Sequence, residues 1–387
     1  MPHAGPSQAP PVRYSKRKFT WACRLRREID VTGAPERRAE GAEGRCESND
    51  AHRWRSDGPL YAALDLGTNN CRLLVAKRCE RQDRQGADNL RVVDAFSRIV
   101  RLGEGLSNTG RLGEQAMRRT LDALLVCREK IQRRGVRRTR LIATEACRAA
   151  ANGPEFVARA EQETGLKLEI IGRETEARLA AIGCGSLADP AAVGALLFDI
   201  GGGSTEIIWL TPGRDDAAAR NIQIWTSIEI GVVSLAERFG GQHVDEATFE
   251  AMVATFAQAL APFAERAMRQ RACGRFHLLG TSGTVTTVAG VHLGLERYDR
   301  RRVDGLWMTA DEADAAVAQL RVMNYEQRAA NGCIGRERAD LVLAGCAILE
   351  AIRRAFPAER LRIADRGLRE GVLLELMRAD RPTGMYR

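Results

Sequence analysis

One pattern of eleven residues occurs twice in this chain, and that duplication constrains the fold more than any other feature. Residues 65–75 read DLGTNNCRLLV and residues 199–209 read DIGGGSTEIIW. Each copy follows a short apolar run, YAAL before Asp65 and ALLF before Asp199, and each reverses direction through a glycine-containing turn. An apolar run, a glycine turn and a second apolar run predict a β-hairpin. Seen twice, the pattern is an internal structural repeat in which each first strand ends in Asp-x-Gly.

The surrounding sequence extends both copies in the same way. After the first hairpin, LRVVDAFSRIV predicts a third strand, residues 113–134 a helix, RLIAT a strand and the region from Glu145 a helix opening. Residues 153–164, strand LKLEII and a helix from about Glu174 to Leu187 complete this half. After the second hairpin come a helix over 245–271, strand FHLL, a third glycine loop GTSGT at 280–284, and a helix over 336–354. A last helix runs from about Gly367 to Met377. Strands alternating with helices predict an α/β fold. The expected domains are 59–188, joined by the C-terminal helix at about 367–380, and 189–366. Residues 1–58 are rich in Arg, Glu, Pro, Gly and Ser, with basic patches SKRKF and RLRRE. They lack periodicity and are expected to be a disordered basic extension.

Composition narrows the partners. Lys and Arg total 59 against 50 Asp and Glu, a net charge of +9, so the field favours anions. Aromatics are only 5%, which argues against nucleic acid held by base stacking. No apolar run reaches the roughly 18 residues that span a bilayer, and the first residues lack the apolar core of a secretory signal. The expectation is a cytoplasmic protein that binds neither membrane nor nucleic acid. The ten cysteines are scattered, without C-x-x-C pairs or histidines at metal spacing, and read as reduced structural thiols.

Chemistry concentrates in the turns. A glycine turn at a strand end lets backbone N–H groups approach an anion closely. Three such loops make Gly67, Thr68, Asn69, Asn70, Gly201, Gly202, Gly203, Ser204, Thr205 and Gly283 candidates for phosphate binding. Asp65 and Asp199 end apolar strands, where a carboxylate needs a partner. Each can hold Mg²⁺, a cation that suits hard oxygen ligands, or accept from its own turn amides. Glu206 lies beyond the second turn and joins Asp199 in the metal reading. In GRETEARL, Glu174 reads as a first-turn charge and Glu176 as an inward candidate base. Arg148 in ATEACR can clamp phosphate with its planar fork, as can Arg72, Arg98, Arg101, Arg173 and Arg178, or each can be a solvated charge. P-loop and nucleophile-elbow motifs are absent from the sequence.

Taken in order, DLGTNNCRLLV, VRLGEGL, ATEACR, EIIGRETEARL, DIGGGSTEI, GTSGTVTT and DRGLREGV closely resemble the exopolyphosphatase and guanosine pentaphosphate phosphohydrolase family. The resemblance runs from about Tyr61 to Leu376. It implies two RNase H-like lobes of the actin-like ATPase superfamily facing a cleft. It implies that Glu176 is the base on the attacking water, that Asp199 and Glu206 are associated with catalytic Mg²⁺, and that Arg148 contacts phosphate. The implied activity is exopolyphosphatase, with inorganic polyphosphate as substrate and orthophosphate as product. The alternatives are guanosine pentaphosphate 5′-phosphohydrolase, a kinase or ATPase of the same fold, and an alarmone sensor with little catalysis. A homodimer is allowed by the resemblance. Asn70 stands where many members have Ser, and the chain reads as a short form without the C-terminal HD-type domain.

Overall fold

In a computed structural model the described residues are 58–78, 90–212, 220–270 and 274–380. The expected basic extension, except its last residue Gly58, lies outside them.

The duplication is realised as two sheets of like topology. In the first half, β1 (Tyr61–Leu66), β2 (Asn70–Arg78) and β3 (Leu90–Ile99) form an antiparallel meander. It is followed by α1 (Leu106–Thr109), α2 (Glu114–Arg133), β4 (Arg138–Ala143), α3 (Glu145–Ala149), α4 (Gly153–Thr164), β5 (Glu169–Ile170) and α5 (Arg173–Cys184). β4 pairs parallel to β1, and the strand order is β3-β2-β1-β4-β5.

The second half repeats the scheme with β6 (Gly194–Ile200), β7 (Thr205–Pro212), β8 (Arg220–Ile228), α6 (Val232–Phe239), α7 (Glu246–Gln270), β9 (Phe276–Thr281) and α8 (Ser282–His292). Then come α9 (Arg300–Val303), β10 (Trp307–Thr309), α10 (Ala310–Val322), α11 (Tyr325–Ala330), α12 (Val342–Ala355), β11 (Arg360–Ala364) and α13 (Leu368–Ala379). Here β9 lies parallel to β6, and the order is β10-β11-β9-β6-β7-β8. Even the irregularities match: the register shifts between Val75 and Ala76 in one meander and between Trp209 and Leu210 in the other.

Both sheets are covered on two faces, as near-continuous apolar strands require. Alternation along β1 sends Ala62, Leu64 and Leu66 into one core and Tyr61 and Ala63 into another. Along β6, Leu196, Phe198 and Ile200 enter one core while Ala195 and Leu197 enter a second. The C-terminal α13 contributes Leu368, Val372, Leu373 and Met377 to the core that holds Tyr61 and Ala63, so the end of the described chain returns to the first sheet. It crosses α5 at backbone contact. A Cβ on Gly183 would lie 2.0 Å from Gly367 O, and one on Gly371 would lie 2.0 Å from Leu179 O.

Two expectations shift. The strand expected over LKLEII shrinks to Glu169–Ile170 because it pairs with β4 only through Ile142 and Ala143. The helix expected over 336–354 begins at Val342, after a 3₁₀ turn at Arg336–Arg338. The six cysteines among the described residues are buried free thiols, and no helix there is long and apolar enough to cross a membrane.

Candidate active site

The ends of β1 and β6 meet at one cleft. Because register pairs Asp65 with Arg72 and Asp199 with Glu206, each hairpin delivers its last strand residues and its turn to the same place. The turns close identically: Gly67 N donates to Asn70 O at 2.9 Å, and Gly201 N donates to Ser204 O at 2.9 Å. They also pack on each other. A Cβ on Gly202 would lie 2.9 Å from Thr68 Cβ, and one on Gly203 would lie 2.7 Å from Thr68 Oγ1. Only residues without side chains let the second turn sit this close to the first.

The cleft is open to solvent and is lined by Asp65, Gly67, Thr68, Asn69, Asn70, Glu176, Gly201, Gly202, Gly203, Ser204 and Glu206, together with Asp199. Thus most of the residues singled out in the sequence do converge. Glu176 is buried at the first turn of α5 while Glu174 is exposed, because the helix turns the later position toward the sheet.

Three placements differ from expectation. Thr205 is fully buried and its hydroxyl donates to Ile230 O at 2.8 Å, so it braces the turn from beneath rather than lining the cleft. Gly283 opens onto an adjoining apolar pocket with Val232, Thr287, Arg338 and Leu341. Arg148 is not a free clamp. Its Nη1 donates to Ile171 O at 2.7 Å, its Nε to Glu145 Oε2 at 3.0 Å and its Nη2 to Glu176 Oε2 at 3.1 Å. It therefore orients the Glu176 carboxylate.

The structure also brings in residues that the sequence reading passed over. Thr144 and Glu145 enter from the start of α3, Ser282 from the start of α8, and Asp365, Arg366, Arg369 and Glu370 from the turn into α13. Arg366 is tied to Asp304. Arg72 and Arg369 have no hydrogen-bonded or ion-paired partner among the described residues, so their guanidinium groups remain available to an anion in the cleft. Arg369 occupies the first turn of a helix, where a cation opposes the macrodipole. These residues sit in DLGTNNCRLLV, ATEACR, GTSGTVTT and DRGLREGV, motifs plain in the sequence; what sequence lacks is any periodicity telling which polar side chains of such a turn point inward.

Crowding of carboxylates sets the electrostatics. Burial, then Asp65, raises the Asp199 carboxyl to about 6. Burial, then Asp199, raises Glu206 to about 7, against donation from Ser227 Oγ at 2.8 Å. Glu176 is pushed well above the usual range by burial and then by Glu206, with Arg148 opposing. Burial also raises Asp65, tempered by Arg72. So many acids in one cleft favour a cation. Asn69 Oδ1 is buried without a donor, an acceptor that metal-bound water would satisfy. No three acidic, histidine or cysteine side chains among the described residues are already gathered as direct ligands. An all-oxygen set of this kind fits Mg²⁺, which retains waters and is often held by one or two carboxylates plus substrate phosphates.

Residues 81–380 match the Ppx/GppA phosphatase family. The chain belongs to that family. Among curated Ppx/GppA relatives, a guanosine-5′-triphosphate,3′-diphosphate pyrophosphatase of Aeromonas hydrophila is 32% identical over 324 residues, covering 83% of this chain and 60% of that one. The like-named protein of Photobacterium profundum is 30% identical over 322 residues, covering 82% and 59%. The chain thus spans about 60% of the length of the curated relatives it matches. Among solved structures, an exopolyphosphatase of Cytophaga hutchinsonii superposes with a TM-score of 0.73 at 25% identity, covering 83% of this chain and 99% of that one. A Ppx/GppA member of Aquifex aeolicus gives 0.66 at 27% identity, covering 84% and 99%. The fold is that of the Ppx/GppA structures.

Proposed function

We propose that this Ppx/GppA protein hydrolyses the terminal phosphoanhydride of a polyphosphorylated substrate and releases orthophosphate. The observation that carries the reading is the convergence of two Asp-x-Gly turns and the buried Glu176 on one cleft. The terminal phosphoryl group lies between the turns, where backbone N–H groups and the hydroxyls of Thr68 and Ser204 meet its oxygens. Arg72 and Arg369 supply positive charge to the phosphates. Glu176, held by Arg148, orients water for in-line attack and accepts its proton. Its raised pKa improves it as a base once ionised. Asp199 and Glu206, with Asp65 nearby, would hold Mg²⁺, which would supply charge neutralisation to the phosphate oxygens. Phosphoryl transfer depends mainly on such positioning and electrostatics.

Two substrates deserve direct comparison. Inorganic polyphosphate fits a cleft whose cationic donors include the Arg72 and Arg369 guanidinium groups, and the exopolyphosphatase of Cytophaga hutchinsonii shares the fold. Guanosine pentaphosphate is favoured by a further feature: the apolar pocket of Val232, Thr287, Arg338, Leu341 and Cys346 abuts Asn70 and Gly202. That pocket offers a base and ribose a place beside the phosphates, and the curated relatives carry the corresponding name. Orthophosphate release from polyphosphate, guanosine pentaphosphate and ATP, each with Mg²⁺ and with EDTA, tests both. Release from either of the first two, dependent on Mg²⁺, supports hydrolysis and ranks the substrates. Tight guanosine pentaphosphate binding without turnover would make the protein a sensor instead.

A further inference from the structure

The segment VRLGEGL belongs to the ordered set of motifs, yet its residues do not line the acidic cleft. It runs from the end of β3 into α1, and its contacts explain what it does. Val100 N and Arg101 N donate to Asn69 O at 2.9 and 3.1 Å, and Gly103 N donates to Thr68 O at 2.9 Å. These bonds hold the carbonyl side of the first glycine turn from behind.

The same segment reaches the other half of the molecule. Arg101 has φ +48°, one of two non-glycine residues with positive φ among the described residues, a conformation that a Cβ disfavours. In that conformation Arg101 Nη2 donates to Asp340 Oδ1 at 2.9 Å, to Asp340 Oδ2 at 3.0 Å and to Glu337 O at 2.9 Å. Further along, Gly105 N donates to Glu237 Oε1 at 2.8 Å and Ser107 Oγ donates to Glu237 Oε2. Glu237 is on α6, and the first amides of α6, Val232 N and Val233 N, donate to Gly201 O at 3.0 Å and Gly202 O at 2.8 Å. One short segment therefore grips the first turn directly and the second through a single helix.

The receiving side is stiff. Arg328 is 2% exposed and donates to Ala339 O, Met323 O, Gly241 O and Gln242 O. It thereby stitches the neighbour of Asp340 to the stretch that follows α6. An isolated surface ion pair would contribute little. A pair formed from an unfavoured backbone conformation, and flanked by a second carboxylate contact on the same segment, has a positional role instead.

We infer that residues 100–107 are a clasp that holds the two glycine turns in register across the cleft, with Arg101 and Glu237 as positioning residues. Neither touches the reacting atoms. The side chains of Arg101 and Asp340 are 33% and 23% exposed, so the clasp can open to water when substrate enters and leaves. Loss of the clasp lowers the fraction of molecules in the binding-competent form, and the apparent affinity falls by that fraction.

The test uses the full chain with Cys23, Cys46, Cys79 and Cys273 changed to serine, and spin labels at Leu125→Cys on α2 and Val322→Cys on α10. Arg101→Gly keeps the left-handed backbone and removes the guanidinium; Glu237→Gln weakens the second contact; Arg101→Asp with Asp340→Arg exchanges the charges. Both single variants should lengthen and broaden the label-to-label distance distribution, and the exchange should return most of it. The kinetic arm, which rests on the proposed hydrolysis, should show KM raised about tenfold in Arg101→Gly with kcat within about twofold. Unchanged distances in the two folded single variants would overturn the clasp, as would a lowered kcat with unchanged KM. If no variant and no parent protein releases phosphate, the proposed activity fails while the distance measurement still decides the clasp.

Discussion

Replacing Glu206 by glutamine should make the metal-free protein more stable at pH 8 while impairing its activity. Glu206 is 2% exposed and its carboxyl is raised to about 7, first by burial and then by Asp199. An acid whose folded pKa lies above its unfolded value binds protons more readily when folded, so its contribution to stability is present below the unfolded pKa and lost as pH rises through the folded one. For Glu206 that window runs from 4.5 to about 7. A shift of this size corresponds to about 3 kcal/mol at full ionisation, an upper figure because the acids share their protons. Glutamine carries no charge at any of these pH values, and its carbonyl can still accept from Ser227 Oγ. Urea denaturation in EDTA at pH 4.5, 6, 7 and 8 provides the measurement. The variant should match the parent at pH 4.5 and gain steadily to a plateau above pH 7. Mg²⁺ should then stabilise the parent selectively, since only it retains the full carboxylate set. A variant less stable than the parent at pH 8 in EDTA would falsify the view that the carboxylates are held together against their own repulsion.

Other expectations concern the chemistry and the loops. Glu176→Gln should lower turnover by roughly 10²–10⁴ with little change in thermal melting, the range for an acid–base group; near-normal turnover rejects it as the base. Arg148→Met removes the cation that opposes the rise of the Glu176 pKa, so the acidic limb of the kcat/KM profile should move to higher pH; an unmoved limb separates Arg148 from Glu176. Arg369→Ala should raise KM by roughly tenfold or more with unchanged melting, as loss of one charge-assisted contact worth about 1.5–3 kcal/mol implies, and Arg369→Lys should recover part of it; KM equal to the parent removes Arg369 from substrate binding. Gly231→Ala would set a Cβ 2.4 Å from Gly202 C and O, displacing the second turn, and should cost at least about tenfold in kcat/KM.

Much of the fold was readable because the strands that open the two hairpins, YAALDL and GALLFDI, are nearly pure apolar runs closed by glycine turns. DLGTNN and DIGGGS announce two hairpins before any contact is known, and a period of two along Tyr61–Leu66 supplies both cores. The short β5 was overestimated, since LKLEII has strand composition but its place in the sheet offers only a two-residue partner. Spacing alone could not separate Glu176 from Glu174; the family resemblance pointed to Glu176, and the fold buries Glu176 while leaving Glu174 exposed. Arg148 was read as a phosphate clamp because ATEACR shows an arginine near a strand end. It does not show that Glu145, Glu176 and Ile171 O converge on that arginine.

From its residue order alone this chain sets its α/β alternation, its duplicated Asp-x-Gly hairpins and the place of Glu176, Asp199 and Glu206 in local patterns at strand ends and a helix start. Such features are local, written in backbone propensity, glycine placement and the spacing of apolar side chains. Tertiary structure alone decided that Asp65, Arg72 and Arg369 share a cleft with them, that Arg148 serves a carboxylate, and that Arg101 grips Asp340. The Arg148–Glu176 pair spans 28 positions and the Arg101–Asp340 pair 239, while Coulomb and hydrogen-bond forces act over a few ångströms, so only the folded path of the chain determines which charges meet.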